Sequence, residues 1–136
     1  MKVILDTNVF VSGIFFPLGR PRQILQAWKH GKLNLVISPE IFSEYQGTSE
    51  DLQNKYPTAA AADFLSLVLK TSEIYRPEEL PEPVCEDPDD DMFIACALAS
   101  GVKIIISGDK LLLKVSGYKN IEVLTPRQFY EHYLKI

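Results

Sequence analysis

The chain has 136 residues, of which 46% are hydrophobic and 24% are charged. These proportions are typical of a globular protein and exclude a disordered or membrane-embedded one. No apolar run reaches the roughly 18 residues of a spanning helix, and Asp6 and Asn8 interrupt the apolar start before a signal sequence is complete. We therefore expect a single cytoplasmic domain covering residues 1–136, with no membrane partner.

The net charge of −4 is unevenly distributed along the chain. Eight of the 18 acids lie between Glu78 and Asp91, where there is no Lys or Arg, so ten acids face 14 bases elsewhere. A negative total charge argues against a nucleic-acid partner. An acidic region on a mildly basic body nevertheless suits a cation site that handles a polyanion, although many acidic proteins share this distribution.

Cysteine and histidine give no sign of a metal site. Cys85 and Cys96 are the only cysteines, and neither belongs to a pair spaced for metal binding. Cys96 has the surroundings of a small core residue, and a disulfide between the two stays open. His30 and His132 lie far apart in sequence, so we expect two surface histidines.

Strand and helix patterns alternate along the chain. The first half predicts a strand at 2–5, an apolar segment at 9–16, a helix at 21–30, a strand at 33–37, a helix opening at Ser38-Pro39, and a helix at 58–69. The second half predicts a strand at 73–75, a proline-rich connection at 77–83, a helix from 91, a strand at 102–106, a helical turn at 111–113, a strand at 121–124, and a terminal helix from 126 that packs through Phe129, Tyr130 and Tyr133.

This alternation predicts an α/β domain with a mainly parallel sheet of four to five strands. Ligands of such sheets bind beyond the carboxyl ends of the strands, at a topological switch point. Asp6 follows the first strand, Asp109 follows the strand at 102–106, and Glu44 lies one turn into the helix after the second strand. Asp91 begins the helix that leads into the 102–106 strand, so the four acids are expected to converge.

The acidic run from Cys85 to Asp91 leads directly into an apolar helix. Alone, it would be a solvated loop whose last carboxylate caps that helix. Beside other acids it indicates a cation site, because converging carboxylates suppress each other's ionisation unless a cation neutralises them. Oxygen ligands without His or Cys favour Mg²⁺ or Mn²⁺. Such an ion activates water and stabilises a leaving oxygen, which predicts hydrolysis of phosphodiesters.

Four motifs, in order along the chain, resemble those of the PIN-domain ribonucleases. They are Leu5-Asp6-Thr7-Asn8-Val9, Ser38-Pro39-Glu40-Ile41-Phe42-Ser43-Glu44-Tyr45, Asp91-Met92-Phe93-Ile94-Ala95, and Ser107-Gly108-Asp109, in which Ser107 replaces the usual Thr. The resemblance covers nearly the whole chain and is greatest to the VapC-like group of toxin–antitoxin systems. It implies a three-layer α/β/α fold and an endoribonuclease that cuts single-stranded RNA, often a homodimer, with a small antitoxin protein as partner.

The resemblance also implies a set of site residues. Asp6, Glu44, Asp91 and Asp109 match the four family acids, and Asp6, Asp91 and Asp109 are the expected ligands of Mg²⁺ or Mn²⁺. Asp90 is a local alternative, with Asp91 then serving as a helix cap, but the motif register favours Asp91.

Other interpretations fit parts of the pattern. An aspartate-dependent phosphatase also has Asp after its first strand, but it needs a second Asp where Asn8 stands and a suitable Lys, for which Lys110 is a loose candidate. A catalytically silent PIN scaffold that binds a protein or RNA would keep the same acids. Four bases are candidates for phosphate contacts or are ordinary surface charge: Arg20, Arg22, Lys29 and Lys32.

Overall fold

A computed structural model describes residues 1–57 and 59–135. Within them, five strands form one sheet: β1 (Lys2–Leu5), β2 (Asn34–Ile37), β3 (Glu73–Ile74), β4 (Ile104–Ile106) and β5 (Glu122–Leu124). Seven α-helices accompany them: α1 (Thr7–Phe15), α2 (Arg20–Lys29), α3 (Pro39–Lys55), α4 (Ala61–Thr71), α5 (Asp91–Ser100), α6 (Lys110–Leu113) and α7 (Pro126–Phe129). None of the helices in these two ranges is long and apolar enough to cross a membrane.

The strand order β3-β2-β1-β4-β5 determines where a ligand can bind. All neighbouring strands are parallel, and β1 pairs with β4 through Ile4 with Ile105 and Leu5 with Ile106. The chain adds β2 and β3 on one side of β1 and then returns to add β4 and β5 on the other. The switch point of the sheet therefore lies between the carboxyl ends of β1 and β4.

The central strands are buried because their sequences are continuous apolar runs. Residues 3–5, 35–37 and 105–106 are almost completely buried, as expected for parallel strands covered by helices on both faces. The predicted three-layer α/β fold with a parallel sheet is confirmed.

Several boundaries differ from the sequence-based prediction. Strand β4 begins at Ile104 instead of residue 102. Ile104 is the residue at which its pairing with Glu122 of β5 begins. Helix α4 begins at Ala61, and residue 58, where the sequence predicts its start, lies outside the described residues. The terminal helix changes to a π-helical turn after Phe129, and Tyr133 stays 39% exposed, so its predicted packing role is limited to stacking on Phe129.

The cysteines and histidines differ in burial, and Cys96 is a core residue as predicted. Cys85 and Cys96 are buried free thiols, so the disulfide left open by the sequence is not formed. His30 and His132 are both exposed, as expected.

Candidate active site

Asp6 lies at the switch point and is held by both neighbouring segments. Its backbone N–H donates to the Ile106 carbonyl at 2.9 Å, which extends the β1–β4 ladder by one residue. Its carbonyl accepts the N–H groups of Val9 and Phe10, so Asp6 is the N-cap residue of α1. The Ser107 hydroxyl donates to Asp6 Oδ2 at 2.5 Å. Burial raises the pKa of the Asp6 carboxyl, and the Ser107 bond opposes that rise.

The segment after β4 places Ser107 and Asp109 beside Asp6. Ser107 is fully buried, and its backbone N–H donates to the Leu124 carbonyl at 2.9 Å. Its hydroxyl accepts the Asp109 N–H at 2.9 Å while it donates to Asp6. Asp109 Oδ1 in turn accepts the Leu111 N–H at 2.9 Å and caps α6. One continuous hydrogen-bonded chain therefore sets the position of both acids.

Asp90 joins these acids from the other side of the site. It ends a 3₁₀ turn (Pro88–Asp90), is 7% exposed, and its Oδ2 atom has no hydrogen-bond partner among the described residues. Burial, the Asp109 carboxyl within hydrogen-bonding reach, and the charges of Asp6 and Asp87 raise the pKa of Asp90 to about 7. The structure thus brings Asp6, Asp90 and Asp109 together.

Asp91 points to a different place. Its Oδ1 accepts the Cys85 N–H at 2.7 Å, and its Oδ2 accepts the Val84 N–H at 3.4 Å. Consecutive helical residues differ in direction by about 100°, so Asp90 and Asp91 at the start of α5 cannot face the same group. Asp91 ties the proline-rich connection to α5, and Asp90 faces Asp6 and Asp109.

Glu44 lies at the exposed edge of the site. The buried Thr7 donates its hydroxyl to Glu44 Oε1 at 3.3 Å. Glu44 also borders an open groove of about 630 Å³ along α3, lined further by Ser43, Gly47 and Thr48. It is therefore accessible to a ligand that approaches the acids from solvent.

Tyr45 is a core residue of α3 that also contacts the site. The side chain is fully buried, and its ring stacks on Phe10 with 4.2 Å between centroids. Its hydroxyl donates to the Leu5 carbonyl at 2.5 Å, directly before Asp6. The one sequence signal for this contact was its position beside Glu44.

Three of the four bases considered for phosphate contacts interact with the protein itself. Arg22 donates to the Gly13 carbonyl and, at 2.8 Å, to the Ile14 carbonyl. Arg20 lies 4.0 Å from the centre of the Tyr130 ring, and Lys29 lies 5.3 Å from that of Phe64. Their charges therefore link α2 to α1, to α4 and to the C-terminal turn. Lys32 is exposed.

The residues of the site are suited to a hard divalent cation by their chemistry. The donors of the cluster are oxygens of Asp6, Asp90, Asp109 and Ser107, which is the ligand type that Mg²⁺ and Mn²⁺ prefer. Within residues 1–57 and 59–135, no group of three or more His, Cys, Asp or Glu side chains is arranged so that it could hold a metal ion. The buried Oδ2 of Asp90 nevertheless has no hydrogen-bond partner among the described residues. A bound cation would interact with this oxygen in place of a hydrogen bond.

Comparison with known proteins identifies a family and a relative of similar sequence, and a solved structure of similar fold. The chain matches the PIN domain family over residues 2–111. The uncharacterized protein MJ1680 of Methanocaldococcus jannaschii is 33% identical, over 99% of this chain and 93% of that protein. A chain in the crystal structure of VapBC2 from Rickettsia felis, bound to a DNA fragment from their promoter, superposes with a TM-score of 0.60. That likeness covers 92% of this chain and 98% of the other at 15% identity, so it concerns the fold.

The family match covers most of the chain, including Asp6, Glu44, Asp90, Asp91 and Asp109. PIN domains are generally nucleases. The resemblance seen in the four sequence motifs is confirmed, and the chain belongs to the PIN domain family.

Proposed function

We propose that this protein is a metal-dependent endoribonuclease that hydrolyses phosphodiester bonds in single-stranded RNA. The observation that carries the proposal is the convergence of Asp6, Asp90 and Asp109 at the switch point between β1 and β4. Membership of a family whose domains are generally nucleases supports it. The domain acts as one catalytic unit over residues 1–136.

The proposed ligands of Mg²⁺ or Mn²⁺ are Asp6, Asp90 and Asp109. Asp90 replaces the Asp91 expected from the motif register, because the carboxylate of Asp91 is occupied by the Cys85 and Val84 N–H groups. When bound, the ion would lower the pKa of an attacking water and neutralise charge on the phosphate. Three carboxylates held close together bind such an ion favourably because it removes their mutual repulsion.

The remaining polar residues position these acids. Ser107 restrains one Asp6 oxygen, and its second hydrogen bond places Asp109. Thr7 holds one Glu44 oxygen, so the exposed Glu44 carboxylate is placed to orient a water molecule. Glu44 is therefore assigned a catalytic role without direct ion binding.

We also propose that the protein is the toxin of a toxin–antitoxin pair, with a small antitoxin protein as partner and a homodimer as its assembly. The likeness in fold to a chain of the VapBC2 crystal structure supports this context. The acids in this site also need a partner or a cation to neutralise them before RNA, itself a polyanion, can approach.

The test is cleavage of a pooled single-stranded RNA library with Mn²⁺, with Mg²⁺ and with EDTA. We expect cutting by the unmodified protein in either metal and none in EDTA. Asp6→Asn, prepared in parallel, controls for contaminating nucleases and is expected to be inactive, because a charged ligand becomes neutral while the acceptor for Ser107 remains. Cleavage that survives in EDTA or in Asp6→Asn contradicts the proposal. No cutting in any condition would favour a silent scaffold instead.

A further inference from the structure

Tyr45 connects the helix that carries Glu44 to the strand that carries Asp6. The hydroxyl donates to the carbonyl of Leu5, whose peptide bond leads directly into Asp6. One residue earlier on α3, Glu44 accepts a hydrogen bond from Thr7, which directly follows Asp6. Two hydrogen bonds therefore join residues 44–45 to residues 5–7.

The surroundings of Tyr45 make this connection rigid. The side chain is fully buried, so water does not compete for the Leu5 carbonyl. The ring lies nearly parallel to that of Phe10, with an interplanar angle of 9°. Phe10 belongs to α1 and donates its own N–H to the Asp6 carbonyl. The ring and the hydroxyl of Tyr45 therefore both contact the segment around Asp6, where β1 ends and α1 begins.

We propose that Tyr45 is a positioning residue. Its hydroxyl, through the Leu5 carbonyl, fixes the position of Asp6 relative to Glu44 at the proposed ion site. This inference rests on the proposed function, since it concerns how the proposed ligand and the proposed orienting carboxylate are placed. A phenylalanine would fill the same core volume, so packing alone does not require the hydroxyl. The hydroxyl is therefore the atom to test.

The experiment compares four proteins: the unmodified chain, Tyr45→Phe, Ser38→Ala and Tyr133→Phe. Tyr45→Phe removes one oxygen and keeps the stack on Phe10, so the fold is retained. Ser38→Ala removes the N-cap bond to Ile41 on the same helix and controls for loss of stability. Tyr133→Phe makes the same chemical change at a tyrosine bonded to Glu122.

Mn²⁺ affinity is measured from the electron paramagnetic resonance signal of free Mn²⁺, at a temperature well below all four melting points. Cleavage of single-stranded RNA gives kcat and KM. We expect Tyr45→Phe to bind Mn²⁺ about tenfold more weakly, as is common for groups that support a metal ligand, with a lower kcat and an unchanged KM for RNA. Ser38→Ala and Tyr133→Phe should bind Mn²⁺ like the unmodified chain.

Three results overturn the inference. Equal Mn²⁺ affinity and kcat in Tyr45→Phe and the unmodified chain would show that the hydroxyl has no positioning role, while the nuclease assignment stands. An equal loss in Ser38→Ala would show that general destabilisation of α3 causes the effect. If the unmodified chain itself neither binds Mn²⁺ nor cuts RNA, the proposed function fails, and this inference fails with it.

Discussion

At the scale of single residues, two adjacent carboxylates have different surroundings. Asp90 is almost fully buried, with an oxygen that has no partner among the described residues, whereas Asp91 accepts two backbone N–H groups of the preceding connection. An unpaired buried carboxylate is costly unless an ion or a proton satisfies it. A carboxylate that accepts two N–H groups already has the partners it needs.

This difference predicts unequal effects of the same substitution. Asp90→Asn should lower RNA cleavage by about a hundredfold or more, because the site loses a charge meant for the ion. Asp91→Asn should keep most of the activity, because the amide oxygen still accepts the Cys85 N–H. Cleavage rates at saturating Mn²⁺ for the two variants decide between them. The opposite order would restore Asp91 as the third acid.

The raised pKa of Asp90 also predicts how stability changes with pH. Asp90 has a pKa of about 7 in the folded protein, whereas an Asp in an unfolded chain ionises near 3.9. Between about pH 4 and pH 7 the folded state therefore binds more protons than the unfolded state, so the free energy of unfolding falls as pH rises through this interval. Above it the dependence levels off. The raised pKa of Asp6 contributes with the same sign.

Urea unfolding in EDTA, repeated at several pH values across this interval, measures the effect. The midpoint should fall with rising pH in the unmodified chain and change much less in Asp90→Asn. Parallel curves for the two proteins would mean that Asp90 titrates normally.

At the scale of secondary-structure elements, the corner between α1 and α2 depends on a close approach. A Cβ on Gly13 would lie 2.5 Å from Leu25 Cδ1 and 2.9 Å from the Pro21 carbonyl oxygen. The carbonyls at this end of α1 also accept hydrogen bonds from the Arg22 guanidinium. The two helices can pack this closely because residue 13 has no side chain.

Gly13→Ala should therefore reduce the free energy of unfolding by about 1–3 kcal/mol, the usual cost of overpacking. Gly47→Ala is the matched control, because a Cβ at that position in α3 would meet no described atom within 4 Å apart from its chain neighbours and the nearby backbone of its own helix. It should raise stability by about 0.5–1 kcal/mol, since alanine favours a helix interior. Denaturant midpoints of the two variants provide the comparison. Equal destabilisation would show that the close approach has no influence.

At the scale of the whole molecule, eight of the 18 acids lie between Glu78 and Asp91, in the segment that carries Asp90. A bound cation would relieve repulsion among the folded carboxylates that the unfolded chain does not experience. Mn²⁺ should therefore raise the melting temperature, with a stabilisation of about 2.7 kcal/mol when the ion is at 100 times its Kd. Differential scanning calorimetry with Mn²⁺ and with EDTA measures the shift.

Asp109→Asn and Asp89→Asn provide the control, because each removes one negative charge from the chain. Asp89 is exposed and lies outside the cluster, so its variant should keep the Mn²⁺ shift. Asp109→Asn should lose it while retaining an oxygen to cap α6. An equal shift in both variants would show that the ion acts through overall charge.

Most of the fold was predictable from the sequence because buried parallel strands are short continuous apolar runs. Residues 2–5 and 33–37 have that character, and the polar residues that follow them mark the edge of the sheet where ligands bind. Asp6 and Asp109 could be placed at this edge because Asp6 directly follows β1 and Asp109 lies three residues after the end of β4. The starts of α4 and β4 were less predictable, because contacts with residues distant in sequence influence where an element begins.

The sequence by itself thus determined the α/β order, the family and the clustering of acids at one edge. Tertiary structure gives the Asp90 and Asp91 carboxylates different partners, because one residue at the start of a helix changes the direction of a side chain by about 100°. The Asp91 carboxylate accepts the Cys85 N–H, which lies in the connection that precedes the 3₁₀ turn. Tertiary structure also decided that Arg22 donates to carbonyls and that the Tyr45 hydroxyl reaches Leu5, because such bonds join residues whose proximity no local pattern encodes.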